Sequence, residues 1–405
     1  MAFRPLEGTI VLAVEHVMTG PYCSKLLADF GADVIKVESP GTGDVGRQIG
    51  PIAKGRNGEP RSVFFARANS NKRSVTLNLK SPEGKEILKS LIRKSDVFMV
   101  NQTPRSLTKL EIDYASVKAV KEEIVYASIT GFGLPMHEGE GWSERKAFDI
   151  VIQAMSGVPG MIEGDDIVKN GWLNSPVADL CAGIYGALGI VAAVLEREKS
   201  GRGNLVDISM YEVLTSLNER WLATYSVLGE KLQNGSGHGA SSPWGIYEAA
   251  DGSVAIATAG DVMWPKFCEV IGRSELADHP DFAPAVTRAR NHAQVKAIIE
   301  DWARDKSRAE VEKTLSSAGI AVGPVQDVED IFNCPILRQR GLWQTVPDPV
   351  LGDIELIGNP LSYTDGYRSS LSRSPELGEN TEEVLTGMLG IDAAEIERLR
   401  RNGAV

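Results

Sequence analysis

The chain has 405 residues, 42% of them hydrophobic and 24% charged, and a formal net charge of −11. That length exceeds the ~250–300 residues that one hydrophobic core usually serves, so two domains are expected. The acidic balance argues against an electrostatic grip on nucleic acid or an anionic membrane surface. Four scattered cysteines without a CxxC pair and five dispersed histidines argue against a zinc site and for free thiols in a reducing, cytoplasmic setting.

The opening "MAFRPLEG" lacks the basic stretch and apolar core of a signal peptide. "GTIVLAVE" then reads as a strand, and "GPYCSKLLADFGA" as a helix opened by Pro21 and closed by Gly31. "DVIKVE" is the next strand. "RSVTLNL" is another, followed by the helix "SPEGKEILKSLIRKS", which Ser81 caps with Pro82 at its first position, and by the strand "DVFMVN". "IVYASITGFG" adds a further strand. This alternation predicts an α/β fold with a mainly parallel sheet and ligand sites at the carboxyl ends of the strands.

From about residue 150 the pattern turns helical, with "FDIVIQAMSG", "NSPVADLCAGIYGALGIVAAV" and a stretch through "YEVLTSLNERWLATYSVLG". Asp179 heads sixteen uncharged residues, Leu180–Leu195, a run short of the ~20 needed to span a bilayer. Its Gly and Ala content suits close packing between helices. A Gly/Ser-rich loop, "NGSGHGASSPWG", precedes a hairpin expected to turn at Asp251-Gly252, helices around 262–272 and 293–318, and a strand and helix in "GIAVGPVQDVEDIF". Strand-like residues at 345–364 and a charged helix, "DAAEIERLRRNG", complete the chain. The expected division is a large α/β domain over 1–224, to which 331–405 returns, and a small α+β domain over 225–330.

Two stretches raise questions of chemistry. The first turn, "EHVMTGPYCSKL", ahead of a strand ending in Glu38, invites a dinucleotide reading, but it offers only Gly20, and Pro21 removes a donor. The glycine fingerprint is not met. Asp179 reads on position alone as a plain N-cap, or as a carboxylate kept ionised by the free N–H groups and partial positive charge of a helix start.

Taken together, "PLEGTIVLAVEHVMTGPYCSKLLADFGADVIKVESPGTGD", "NSNKRSVTLNLKSPEGKEILKSLIRKSDVFMVN", "AFDIVIQAMSG", "PVADLCAGIYGALGIVAAVLER", "GRGNLVDISMYEVL" and "GIAVGPVQDVEDIFNCPILRQRG" resemble the family III CoA-transferases, a group that includes formyl-CoA:oxalate and carnitine CoA-transferases. The resemblance implies a Rossmann-like large domain, a smaller domain and two chains interlocked as a homodimer. It implies no tightly bound cofactor, with a coenzyme A thioester as substrate and a carboxylic acid as partner substrate. The family's nucleophilic Asp matches Asp179. Asp suits that role because it is ionised at neutral pH without a general base.

The related α-methylacyl-CoA racemases place a proton-shuttling His just before the Asp of "AFDIVIQAMSG"; here Phe148 precedes Asp149. A phenyl ring carries no proton, which disfavours the alternative of a 2-methylacyl-CoA racemase or epimerase. A second alternative is a non-catalytic acyl-CoA-binding protein. Asp149 then tunes Asp179, contacts substrate, or caps a helix. The family's closing glycine loop matches Gly235, Gly237, His238 and Gly239, a run interrupted by Ser236 and His238.

For CoA, the resemblance brings His16, Val17, Met18 and Thr19 to the adenosine or pantetheine end. Lys72, Arg73, Asn101, Arg105 and Lys109 are the expected phosphate and backbone contacts, and Lys146 matches a lysine lining the CoA site. Ser39 stands where relatives stack an Arg on adenine, leaving Arg47 as a candidate substitute. Gly183, Gly186 and Gly189 are read as helix-packing positions.

Overall fold

The computed structural model describes residues 4–55, 57–135, 141–161, 172–230, 241–258, 260–364 and 368–405. The chain divides into two compact units, one built from Met1–Pro159, Trp172–Leu222 and Leu337–Val405, the other around Ala223–Ile336.

The first unit is organised on six parallel strands. They are β1 (Ile10–Val14), β2 (Asp33–Glu38), β5 (Lys72–Thr76), β6 (Val97–Val100), β7 (Val125–Thr130) and β8 (Asn204–Ser209), with a short antiparallel pair, β3 (Ile52–Lys54) and β4 (Pro60–Ser62), between β2 and β5 in the chain. The sheet order is β5-β2-β1-β6-β7-β8, with every pairing parallel. Counting only the strands of this sheet, that is the doubly wound order 3-2-1-4-5-6, whose direction reverses between β1 and β6.

Alternate side chains feed two cores because successive strand residues point to opposite faces. Val11, Ala13, Val97, Met99, Val125, Ala127 and Ile129 enter one core. Helices α1 (Thr19–Asp29), α6 (Asp149–Met155), α7 (Val177–Ser200) and α8 (Met210–Ser216) cover that face. Leu12, Val14, Ile35, Val37, Phe98, Val100 and Tyr126 enter the other. It is covered by α3 (Pro82–Lys94), α4 (Pro104–Leu110) and α5 (Tyr114–Val120), together with the C-terminal helices Thr381–Leu389 and Ala393–Arg401. The return is sealed where the Asn78 N–H donates to the Ala404 carbonyl at 2.8 Å.

Ser81 caps α3 as expected, accepting from the Gly84 N–H at 3.0 Å. A further helix, α2 (Val63–Ala68), precedes β5, and α4 and α5 occupy the crossover after β6; none of the three carries a long enough periodic signal to be read from sequence. Helix α7 runs 24 residues, beyond the uncharged stretch and through Glu196–Ser200. Among the described residues it is one helix long and apolar enough to cross a membrane by length and composition. Ala178, Ala182, Ala187, Ile190, Ala193 and Val194 nonetheless pack it into the core, as in the central helix of a globular domain.

The second unit holds a three-stranded antiparallel sheet in the order β11 (Ala321–Pro324), β10 (Gly252–Ala257), β9 (Trp244–Ala249). Ala249 pairs with Gly252, so the hairpin loop is Ala250-Asp251, one residue earlier than expected. The helix anticipated over 293–318 is two, His292–Ala303 and Arg308–Ser317. Ser307 and Glu310 form a capping box that starts the second afresh.

Candidate active site

The reversal in strand order opens a crevice at the carboxyl ends of β1 and β6, the usual ligand position in such sheets. A cavity of about 430 Å³ lies there. Its walls include His16–Thr19 after β1, Asn101–Thr103 after β6, Ile129–Gly131 at the end of β7, and Met210 after β8. Arg145–Asp149 and Asp179 complete it.

Asp179 is the third residue of α7, not its N-cap; Pro176 holds that position and offers no side-chain cap. The plain N-cap role is taken by Asp149 from the neighbouring helix. Asp149 Oδ1 accepts the Ala178 N–H at 2.7 Å and the Asp179 N–H at 3.2 Å, and its Oδ2 accepts from Gln153 Nε2 at 2.5 Å. The free donors of the α7 start are therefore partly satisfied by one carboxylate, while a second, Asp179, faces the cavity.

Asp179 Oδ1 accepts a short hydrogen bond from the Thr19 hydroxyl. Burial pushes the Asp179 carboxyl up to about 6, with the nearby Asp149 charge acting in the same direction; the Thr19 bond and the Arg67 charge pull the other way. The group is therefore mainly ionised at pH 7. Helices α1 and α7 can approach closely enough for this contact because Gly183 lacks a side chain. A Cβ there would lie 2.9 Å from Tyr22 Cδ1 and 3.2 Å from the Thr19 carbonyl oxygen. Gly186 and Gly189 behave alike, against Cys23 and Val206.

The turn that presents Thr19 is strained. Val17 has φ +66°, a left-handed conformation that costs a β-branched residue about 1–3 kcal/mol. Its N–H donates to Asp44 Oδ1 at 3.0 Å. On the other side, Asn101 accepts the His16 N–H at 3.0 Å and donates to the His16 carbonyl at 2.8 Å. Burial pulls the His16 imidazole below its ordinary range.

The predicted cations separate into two groups. Lys146 lines the cavity. Arg105 and Lys109 are exposed on α4 and do not line it, although the Arg105 N–H donates to Glu144 at 2.8 Å. Lys72 is buried, and its ammonium is fully engaged by Glu15 at 2.9 Å, the Pro21 carbonyl at 2.8 Å and Asn69 at 2.9 Å. It is an internal counter-ion, not a phosphate contact, and burial lowers it to about 8 against the pull of Glu15. Arg73 binds Asp33 and Glu383, tying β5 to β2 and to the C-terminal helix 381–389. Arg47 donates twice to Glu38, at 2.8 and 2.7 Å, and once to the Pro375 carbonyl at 3.1 Å, and lies 3.9 Å over the Phe65 ring, so its guanidinium is engaged within the protein.

A second cavity follows the ends of β1, β2 and β5, lined by Ser39, Thr42, Leu77, Asn78, Lys80 and Gly403 among others. Gln102 lines both cavities. Phe148, 68% exposed, is the N-cap residue of α6 and lines the first cavity. Gly235, Gly237, His238 and Gly239 lie outside the described residues. No trio of metal-ligating side chains occurs among the described residues.

Arg145 was not singled out by sequence. Its guanidinium lies 4.6 Å over Trp142 and 5.2 Å over Phe132, and among the described residues it has no carboxylate partner. Its only sequence signal is adjacency to Lys146 in "SERKAFD".

The CoA-transferase family III model matches residues 6–381. The chain is 34% identical over 383 residues to the succinyl-CoA:mesaconate CoA-transferase of Haloarcula marismortui, covering 94% of this chain and 95% of that one. It is 33% identical over 423 residues to the formyl-CoA:oxalate CoA-transferase of Streptomyces avermitilis, covering 99% and 100%. A solved CaiB/BaiF family protein from Brucella suis, 29% identical, superposes with a TM-score of 0.82 over 95% of this chain and 99% of that one. A doubly wound sheet with a carboxylate at its switch point, and relatives matched end to end, make this chain a member of CoA-transferase family III and an enzyme of the CoA-transferase type.

Proposed function

We propose that this enzyme moves CoA from an acyl-CoA to a small carboxylic acid, with Asp179 as nucleophile. The observation that carries the reading is a carboxylate, hydrogen-bonded by Thr19, in the cavity at the strand-order reversal. An Asp179 oxygen attacks the thioester carbonyl; the C–S bond breaks, and CoA leaves as thiolate, giving a mixed anhydride. The thiolate then attacks the Asp179 carbonyl carbon, releasing the donor acid as carboxylate and leaving an aspartyl-CoA thioester. The acceptor carboxylate attacks that thioester and expels CoA again. Thiolate attack on the acceptor's acyl carbon forms the new thioester and frees Asp179. No proton is consumed and no ATP is needed.

In this reading the pantetheine arm passes Gln102, His16, Val17, Met18 and Asn101, and the adenosine lies in the second cavity beside Ser39, where Lys80 is available to phosphate. Arg145 and Lys146 line the same cavity as Asp179 and bring two positive charges to it, which suits an acid with a second carboxylate that stays ionised throughout. The two relatives' names each include a dicarboxylic acid, mesaconate or oxalate. We therefore assign a small dicarboxylate as one partner of the exchange. At the position where a racemase would need a proton carrier stands Phe148.

Asp179→Ala should abolish transfer while CoA still binds; turnover by the variant would overturn the mechanism. Mass spectrometry of enzyme mixed with acyl-CoA should find the adduct on the peptide containing Asp179. A panel of CoA donors against mono- and dicarboxylic acceptors, read by the mass of the CoA products, tests the substrate class.

A further inference from the structure

Beneath the strained turn lies a buried array of charges that the transfer chemistry leaves unused. Lys36 and Lys72 share Glu15; Lys36 also donates to Asp44 Oδ2 at 2.8 Å and to the Glu15 carbonyl at 3.2 Å. Asp44 Oδ1 accepts from the N–H groups of Val17 at 3.0 Å and Gly46 at 2.8 Å, while its own N–H is held by Glu38 at 2.9 Å. Glu38 in turn is gripped by Arg47 and Ser74.

A counter-ion for Lys36 needs only one oxygen, and Glu15 already supplies one. Asp44 uses both of its oxygens, one on the ammonium and the other on the backbone of a β-branched residue in the left-handed region. No side chain caps α1: Met18 holds its N-cap position without a side-chain bond. Thr19 is the first residue of α1, so where its hydroxyl sits follows directly from the Val17 turn. We infer that Asp44 is a positioning residue for the nucleophile: it pins Val17 and so keeps Thr19 against Asp179. The inference rests on Asp179 being the nucleophile.

Asp44→Asn keeps the shape but leaves one oxygen where two are used; the buried Lys36 ammonium is the stronger donor and takes it, so the Val17 N–H loses its acceptor. The groups acting on the Asp179 charge are Thr19, Asp149 and Arg67. Loosening only Thr19 has a definite sign: it removes a bond to the ionised form and raises the Asp179 titration point. In Asp44→Asn the acid limb of kcat, and the 13C-carboxyl titration of Asp179 assigned with Asp179→Asn, should both move up by about half to one pH unit. The limiting kcat should fall about three- to tenfold, with KM for acyl-CoA within about twofold.

Thr19→Val should shift the titration similarly, and adding Asp44→Asn should move it no further. Val17→Gly removes the strain, so Val17→Gly/Asp44→Asn should bring the titration back to the wild-type value. A folded Asp44→Asn enzyme with an unmoved titration overturns the inference, as do shifts that add in the Thr19→Val background. If Asp44→Asn does not fold, the Val17→Gly double variant decides: a wild-type titration supports the inference, and a displaced one or failure to fold overturns it. The carboxyl titration needs no turnover, so an active Asp179→Ala, which would remove the nucleophile reading, is distinguishable from a failure of this inference.

Discussion

Asp179 carries opposing demands, nucleophilicity and burial, and pH separates them. Attack requires the carboxylate, so activity should rise with pH through an apparent pKa near 6 and fall away below it. For stability the sign is reversed. The folded-state value lies above the ordinary 3.8, so the protonated group favours the fold; that contribution is fully present below about 4 and lost as pH rises through 6. Asp179→Asn should therefore be inactive yet more stable than wild type at pH 7.5, by about 1–2 kcal/mol after allowance for partial exposure, as a rise in Tm. Arg145→Met should raise KM for the acid substrate about tenfold or more and leave KM for acyl-CoA much less affected; the opposite split would move Arg145 to the CoA side. Legibility at this scale followed the chemistry. A lone Asp ahead of an uncharged helix shows in the sequence, and so does Lys146 beside the Phe148-Asp149 pair. The fates of Lys72 and Arg73 do not, because neighbours on a strand point to opposite faces and nothing local announces a buried Glu15 fifty-seven residues away. Arg145 was missed for a related reason: its aromatic seat needs Phe132 and Trp142 brought together by the fold.

At the scale of elements, the site depends on two contacts of α7, one at its end and one along its side. Asp149 caps the helix and also adds negative charge near Asp179. Asp149→Asn retains an oxygen for the Ala178 N–H, so the fold should be kept while the acid limb of kcat moves to lower pH; an unmoved limb would show that the charge does not reach Asp179. Gly183→Ala adds helix propensity worth about 1 kcal/mol, but the new Cβ meets the backbone of α1 at 3.2–3.3 Å and Tyr22 at 2.9 Å. The clash should prevail, lowering Tm and weakening the Thr19 contact, so a stabilised, fully active Gly183→Ala would contradict the packing argument. Elements were readable where pattern and caps agreed, as in the apolar strands and the Ser81-Pro82 helix start. The restart at Ser307 was lost inside a continuous periodic stretch, although its capping box was available in the residues themselves.

At the scale of the whole molecule, α7 presents apolar residues outward as well as inward: Ile184, Tyr185, Leu188 and Leu195 are all exposed, Leu188 at 64%. An apolar stripe of this kind on a chain with core residues on the opposite face suits contact with a second copy. We propose the interlocked homodimer that the family resemblance implies; sedimentation should give a dimer that persists on dilution, and a clean monomer would contradict it.

The Thr19–Asp179 hydrogen bond joins residues 160 positions apart, one at the head of the first crossover helix and the other on the helix leading to the last strand of the sheet. No contiguous half of the sheet contains both partners with their supporting strands. Activity is consequently expected to return late in refolding, after secondary structure and compactness, because strands from both ends of the sheet must pair first; following circular dichroism and turnover in one refolding experiment checks this.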